Sequence, residues 1–285
     1  MQFFKPYTLN LGGRLLSVDS PLVMGILNTT PDSFYAGSRC DSEELIRNRI
    51  RTIVSQGADI IDIGGYSSRP NADDITPEEE FRRLSLGLRL IKEEAPDSIV
   101  SVDTFRASVA ERCVGEYGVD IINDIASGGL DPQMIPTVTR LKVPYIMMHM
   151  RGNPHTMTQL TDYTDVTADV VAWLGAKAKE AALAGVTDII VDPGFGFSKT
   201  VEQNYEMLAH LELFATLDLP LLVGVSRKSM IYKLLSTTPD NALNGTTAIH
   251  MISLMKGASI LRVHDVAEAR EAVTIFNATF SPKNQ

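Results

Sequence analysis

Two short runs near the end of the chain combine apolar residues with side chains that bind anions: Val223-Gly-Val-Ser-Arg-Lys-Ser229 and Leu261-Arg-Val-His-Asp265. Lys228 and Arg262 supply fixed positive charge, His264 a further donor and Ser226 a hydroxyl. Neighbouring backbone N–H groups complete an anion site of this kind. Arg262 and His264 are two apart, so on a strand both point to the same side. Each charge-assisted contact to a phosphate would contribute roughly 1.5–3 kcal/mol. A second set is acidic or neutral: Asn28, Asp103, Asn123 and Asp192 each stand at the end of an apolar run. Carboxylates and carboxamides match the donors and acceptors of a fused aminopyrimidine ring. Together the two sets suit a phosphorylated small molecule. Singly, each residue has a plainer use: Asp103 precedes Thr104 and a helical pattern it could cap, and His264 could hold a neighbouring loop.

These residues need a frame that brings them to one place, and the apolar pattern supplies it. Strand-like runs occur at 22–27, 59–63, 99–102, 119–122, 143–148, 188–191, 220–225 and 258–263. Such continuous runs suit parallel strands buried on both faces. Helical patterns lie between and after them, near 42–56, 77–94, 105–116, 131–141, 162–184, 201–215, 227–256 (interrupted) and 265–278. Asp41 with Glu44 and Thr200 with Gln203 read as capping boxes, and Thr76 stands before Pro77 at a first helical position. Eight strands each followed by a helix predict an α/β chain folded as a single TIM (β/α)8 barrel domain over 1–285. An N-terminal β-hairpin within 1–20, turning at Gly12-Gly13, precedes the barrel at 21–280 and could plug its bottom. A doubly wound open sheet is the competitor, but the first strand leads into Asn28-Thr-Thr-Pro-Asp-Ser-Phe34 rather than a glycine-rich loop. In a barrel, the loops after strands seven and eight are the usual seat of a phosphate, and there Lys228 and His264 stand. Loops 28–40 and 64–76 exceed ordinary connection lengths and read as lids.

The formal charge of −9 argues against nucleic-acid and anionic-membrane partners. An anionic substrate then requires a local cationic site, which sharpens interest in Arg69, Lys228, Arg262 and His264. The two cysteines, Cys40 and Cys113, lack metal-ligand spacing and read as reduced thiols of a cytoplasmic protein. The N-terminus carries no signal-peptide pattern, and no apolar run reaches the roughly 18 residues of a membrane span. Zinc-hydrolase and activated-serine motifs are missing. Asp62 reads as a buried polar anchor, His149 as a packed core imidazole, and His155, His210 and His250 as incidental.

Eight ordered segments carry a resemblance over almost the whole chain: MGILNTTPDSF (24–34), DIGGYSSRP (62–70), SVDT (101–104), IND (122–124), MMHMRGNPHTM (147–157), DPGFGFSK (192–199), GVSRKS (224–229) and LRVHDV (261–266). In these the chain resembles dihydropteroate synthase, the folate-pathway enzyme family built on a TIM barrel. The resemblance implies condensation of 6-hydroxymethyl-7,8-dihydropterin diphosphate with 4-aminobenzoate, giving 7,8-dihydropteroate and diphosphate. It implies that Asp103, Asn123, Asp192 and Lys228 grip the pterin and that Met148, Phe197 and Gly224 line its slot. Asn28 would reach Mg²⁺; Ser68, Arg69, Arg262 and His264 would hold the diphosphate. Phe34, Arg69, Pro70 and Ser226 would shape the aminobenzoate pocket. A homodimer through barrel helices is implied as well. Tyr66 and Ser68 depart from the family's Gly-Gly-Glu-Ser-Thr-Arg-Pro, and Ser198 replaces a common glycine. The alternatives are a methyltetrahydrofolate:corrinoid methyltransferase, which shares the barrel and the ring contacts, and a non-catalytic pterin-binding paralogue.

Overall fold

The apolar runs become parallel strands because their branched residues fit a pleated surface covered on both sides. The computed structural model describes residues 4–30, 39–67 and 74–280. After the hairpin strands β1 (Tyr7–Leu11) and β2 (Arg14–Val18) come β3 (Leu22–Asn28), β4 (Ile60–Gly64), β5 (Ile99–Asp103), β6 (Ile121–Asp124), β7 (Tyr145–Met148), β8 (Ile189–Asp192), β9 (Leu222–Val223) and β10 (Ile260–Val263). Neighbours follow chain order from β3 to β8, while β10 lies between β3 and β9. A parallel bridge between Val191 and Leu221 joins β8 to β9 and closes the barrel.

Helices α1 (Arg39–Ser55), α2 (Pro77–Glu94), α3 (Ala107–Tyr117), α4 (Met134–Leu141), α5 (Val166–Ala184), α6 (Val201–Ala209), α7 (Ser229–Leu234), α8 (Leu243–Met255) and α9 (Val266–Phe280) surround the strands. Thr76 caps α2 through Glu79 N–H with Pro77 in the first turn, and Thr200 with Gln203 forms the expected capping box on α6. The Asp41 capping box falls on side chains outside those described. The helix expected from 162 starts only at Val166, because Asp165 accepts from Ala168 N–H and sets the start there. The pattern over 201–215 breaks at His210, after which Leu211–Leu217 winds as a 3₁₀ helix. The long interrupted pattern after 227 divides into α7 and α8 around a turn at Pro239. Among the described residues no helix is long and apolar enough to cross a membrane.

Alternation along the strands sorts the interior into layers. Met24, Ile60, Ile121, Ile146, Ile190, Leu222 and Ile260 form a lower apolar layer, with Ile99 packed against it. Leu9 and Leu11 of the hairpin join that cluster, so β1 and β2 seal the bottom of the barrel. The seal depends on a two-residue turn whose residues both take positive φ, Gly12 at 60° and Gly13 at 102°, which only glycine adopts cheaply. Two residues further along the same strands, the inward positions are Asp62, Asn123, Met148, Asp192 and Arg262. Polar side chains inside the barrel therefore gather toward the C-terminal ends of the strands.

Candidate active site

Arg262 organises the mouth of the barrel. It reaches across from β10, donating through Nε to Asp62 Oδ2 (2.6 Å) and through Nη2 to Asp103 Oδ2 (2.7 Å). Asn123 Nδ2 also donates to the Asp62 carboxylate, at 3.3 and 3.4 Å to its two oxygens. From sequence Asp62 is an anchor; it is fully buried, and what it anchors is the site's arginine. Asp103 does not cap the helix that follows. The start of α3 at Arg106 has no side-chain cap, and the Asp103 carboxylate turns inward to Arg262.

On the facing side, Asp192 and Lys228 approach each other over Gly224. A methyl group at Gly224 would lie 3.9 Å from both Asp192 Oδ2 and Lys228 Nζ, so the absence of a side chain leaves a flat floor between an acceptor and a donor. Met148 and Phe197 share one apolar cluster beside it, and Lys228 Nζ sits 4.7 Å from the Phe197 ring centroid. Ser226 Oγ accepts from the His264 backbone N–H and lies 3.1 Å from His264 Nδ1. Asn28, Asp103, Phe197, Gly224, Ser226, Lys228, Arg262 and His264 all line one cavity of about 280 Å³, together with Tyr66 and Ser67. Phe34, Ser68, Arg69 and Pro70 lie outside the described residues.

Burial sets the electrostatics. It pushes the Lys228 ammonium down to about 8, with Asp192 opposing, and raises the Asp192 carboxyl against the pull of Lys228. Burial also lifts Asp103 to about 7, although Arg262 opposes it; the Asp62 charge adds to the rise. For Arg262, burial works against the cation, but Asp62 and Asp103 more than compensate, and its pKa stands above the ordinary value. Desolvation lowers the His264 imidazole to about 4, with the Arg262 charge adding to the fall, although the residue is partly open to solvent. Lys228 and Arg262 are thus cationic at neutral pH, as is Arg227, which lines the same cavity, and His264 is a neutral hydrogen-bonding group.

Outer residues hold this set in place, and sequence alone gave no sign of them because their partners are distant in the chain. Arg49 of α1 donates to Ile26 O (3.1 Å) and His264 O (2.7 Å), tying the ends of β3 and β10 together. Arg227 pairs in fork geometry with Asp265 (2.8 and 2.9 Å), joining the two loops that carry Lys228 and His264. Tyr66 packs edge-on against Phe105 at 5.0 Å, with the Arg106 guanidinium 5.2 Å from its ring. Arg106 in turn pairs with buried Glu80 (2.5 Å) and with Asp74 (3.1 Å). An aromatic contact to Arg106 therefore stands where the resembling family carries a carboxylate. Ser198 has φ of 51°, which accounts for the glycine common there; its Oγ bonds both Arg151 N–H and Arg151 O at 2.9 Å and offsets the strain.

Hard oxygen donors are present for a Mg²⁺ ion. Asn28 Oδ1 and Asp103 Oδ2 flank the bare face of Gly64, 3.7 and 3.9 Å from where a side chain would begin. Among the described residues no group of three His, Cys, Asp or Glu is placed to hold a metal alone. The donors fit an ion held chiefly by substrate oxygens and water, as Mg²⁺ commonly is.

Fold and site together define a β/α-barrel enzyme whose strand ends gather buried carboxylates, a carboxamide and cations around one cavity. The family model described as "Pterin binding enzyme" matches residues 24–264. The dihydropteroate synthase of Escherichia coli strain K12 is 40% identical over 273 residues, covering 95% of this chain and 96% of that one. The dihydropteroate synthase of Xanthomonas albilineans, solved with 4-aminobenzoic acid, superposes with a TM-score of 0.89 at 36% identity, covering 98% of this chain and all of the other. The same enzyme in complex with 7,8-dihydropteroate gives a TM-score of 0.85 at 35% identity, over 97% and 100% of the two chains. The chain belongs to the pterin-binding enzyme family, within its dihydropteroate synthase branch.

Proposed function

We propose that this chain condenses 6-hydroxymethyl-7,8-dihydropterin diphosphate with 4-aminobenzoate, forming 7,8-dihydropteroate and releasing diphosphate, in folate biosynthesis. The observation that carries the reading is the convergence of Asp103, Lys228 and Arg262 on one cavity floored by Gly224, with Asp192 against that floor and Asn123 bonded to the Asp62 that holds Arg262. Relatives at this level of identity bind 4-aminobenzoic acid and 7,8-dihydropteroate.

In this reading the pterin lies over Gly224 between Met148 and Phe197. Asp192 accepts from the ring's amino and amide N–H groups, Lys228 donates to its acceptors, and Asn123 and Asp103 complete the edge. The diphosphate faces Arg262 and His264, with Ser68 and Arg69 assigned by resemblance. Arg262 has committed Nε and Nη2 to Asp62 and Asp103, leaving its remaining nitrogen for an anionic oxygen. Asn28 would hold Mg²⁺, which supplies charge neutralisation for the departing diphosphate. Fixed cations stabilise the transition state where negative charge develops on that leaving group. The methylene left behind is a cation conjugated with the electron-rich pterin, and the arylamine captures it. The step needs no protein nucleophile. Water is the competing nucleophile, and closure of loops 28–40 and 64–76 would exclude it. Phe34, Arg69, Pro70 and Ser226 would form the aminobenzoate pocket at the opening.

A homodimer fits the exposed Leu234, Leu235, Ile252, Met255 and Ile275 on and around α7 to α9, apolar surface that a second copy would cover. The buried free thiol of Cys113 accords with a cytoplasmic setting.

The test supplies both substrates with Mg²⁺ and follows diphosphate release alongside dihydropteroate formation. Tight pterin binding without release would instead support a non-catalytic paralogue. Methyl transfer from methyltetrahydrofolate to a corrinoid acceptor would replace the reading altogether.

A further inference from the structure

Lys199 is buried and lies outside the substrate cavity, so the chemistry above leaves it without a role. Its Nζ lies 3.1 Å from Gly194 O, 3.0 Å from Phe197 O and 3.0 Å from His149 Nδ1. An ammonium has three N–H donors and no acceptor, and here three acceptors surround it. His149 must then present an unprotonated Nδ1. Its burial and the adjacent Lys199 keep the imidazole neutral, and the Trp173 ring packs edge-on against it at 5.0 Å.

The segment that Lys199 grips is the loop after β8, and its backbone is tightly coiled, with only Ser198 in a conformation unfavourable for its residue type. Gly194, Gly196 and Ser198 have φ of 69°, 81° and 51°, three left-handed residues in five. Gly194 sits so close to the carbonyl of His149 that any side chain there would strike it, and Lys228 Cδ would lie 3.2 Å from a methyl at Gly196. This shape presents Phe195 O to Lys228 Nζ at 2.6 Å and sets Phe197 beside the slot. Burial lowers the Lys199 ammonium to about 7, yet its nitrogen ties the two ends of this turn to each other, and both to the end of β7 that carries Met148.

We infer that Lys199, acting with His149, is a positioning residue for the pterin slot: it touches no substrate, and it holds the loop 193–199 in the form that orients Lys228 and Phe197. The inference rests on the pterin reading given above and goes beyond it in separating recognition of the two substrates. Losing the clasp should weaken pterin binding and leave aminobenzoate binding almost untouched, because Ser226 and the opening are held by other contacts.

Titration with 6-hydroxymethylpterin and steady-state kinetics with both substrates form the test. Lys199→Met, similar in length and without charge, should raise the pterin Kd about tenfold, the scale of one lost charge-assisted contact. The KM for 4-aminobenzoate, measured at saturating pterin diphosphate, should stay within about twofold. His149→Leu keeps both carbonyl contacts and should give a smaller rise in the pterin Kd. The double variant should be no worse than Lys199→Met, because both changes break one clasp. An unchanged pterin Kd in Lys199→Met, equal losses for the two substrates, or fully multiplicative losses in the double variant would overturn the inference. If Lys199→Met fails to fold, His149→Leu decides by the same readings. Failure of the wild type to bind the pterin would overturn the functional reading itself, and this inference with it.

Discussion

Two layers of the same barrel, two residues apart on the same strands, have opposite chemistry. Ile60 stands below Asp62, Ile121 below Asn123, Ile190 below Asp192, Leu222 below Gly224 and Ile260 below Arg262. Backbone, direction and face are shared, so strand geometry cannot be what separates them. The lower layer is sealed by Leu9 and Leu11, and a charge there would lose its water without gaining a partner. In the upper layer Arg262 is in contact with Asp62 and Asp103, and Asp192 and Lys228 feel each other's charge across Gly224. Even there, burial raises the pKa of Asp192 and lowers that of Lys228, so the pairing offsets desolvation only in part. The lower layer is built for stability. The upper layer holds Asp192 and Lys228 shifted toward their neutral forms while Arg262 stays firmly cationic.

The sharpest way to break this contrast is at Lys228. Lys228→Ala should lower kcat/KM by about 10³-fold, the upper end for removing one electrostatic contact in a site of this kind, with circular dichroism unchanged. Near-wild-type turnover would remove Lys228 from the site. The converse substitution, Ile190→Ala in the lower layer, should cost about 2–5 kcal/mol of unfolding free energy and leave both KM values unchanged. A urea titration alongside kinetics reads both; a KM shift without loss of stability would mean the layers are not separate in function.

Acidity sharpens the comparison further, since Lys228 is cationic below its pKa of about 8 and neutral above it. The kcat/KM for pterin diphosphate should therefore fall by up to about tenfold per unit as pH rises past 8. A profile flat to pH 10 would show that the ammonium is not required. The smallest effect is expected at the opening. Arg69→Ala should raise the KM for 4-aminobenzoate severalfold with little change in pterin affinity, and an unchanged KM for 4-aminobenzoate would count against that role.

Much of this was readable in the order of residues. The eight strands, their following helices and the polar residues ending several strands follow from local pattern, because alternation and capping act within a few residues. The cationic pair of Lys228 and Arg262 was legible for the same reason: both stand at or just before the loops of barrel strands seven and eight. Strand ends were less so. The run at 220–225 is ladder-paired only over Leu222–Val223, with Leu221 bridging to β8, and Gly224 beyond it lines the cavity.

What only tertiary structure decided is which groups hold which. Asp62 and Arg262 are 200 residues apart, and Lys199 and His149 are 50 apart. Local sequence cannot show that a buried carboxylate has an arginine across the barrel, or that a lysine after β8 clasps an imidazole after β7. Closure of the barrel creates those pairs, since it brings eight strand ends within side-chain reach of one point. The sequence determined the parts and their spacing along each strand; ring closure made them one site.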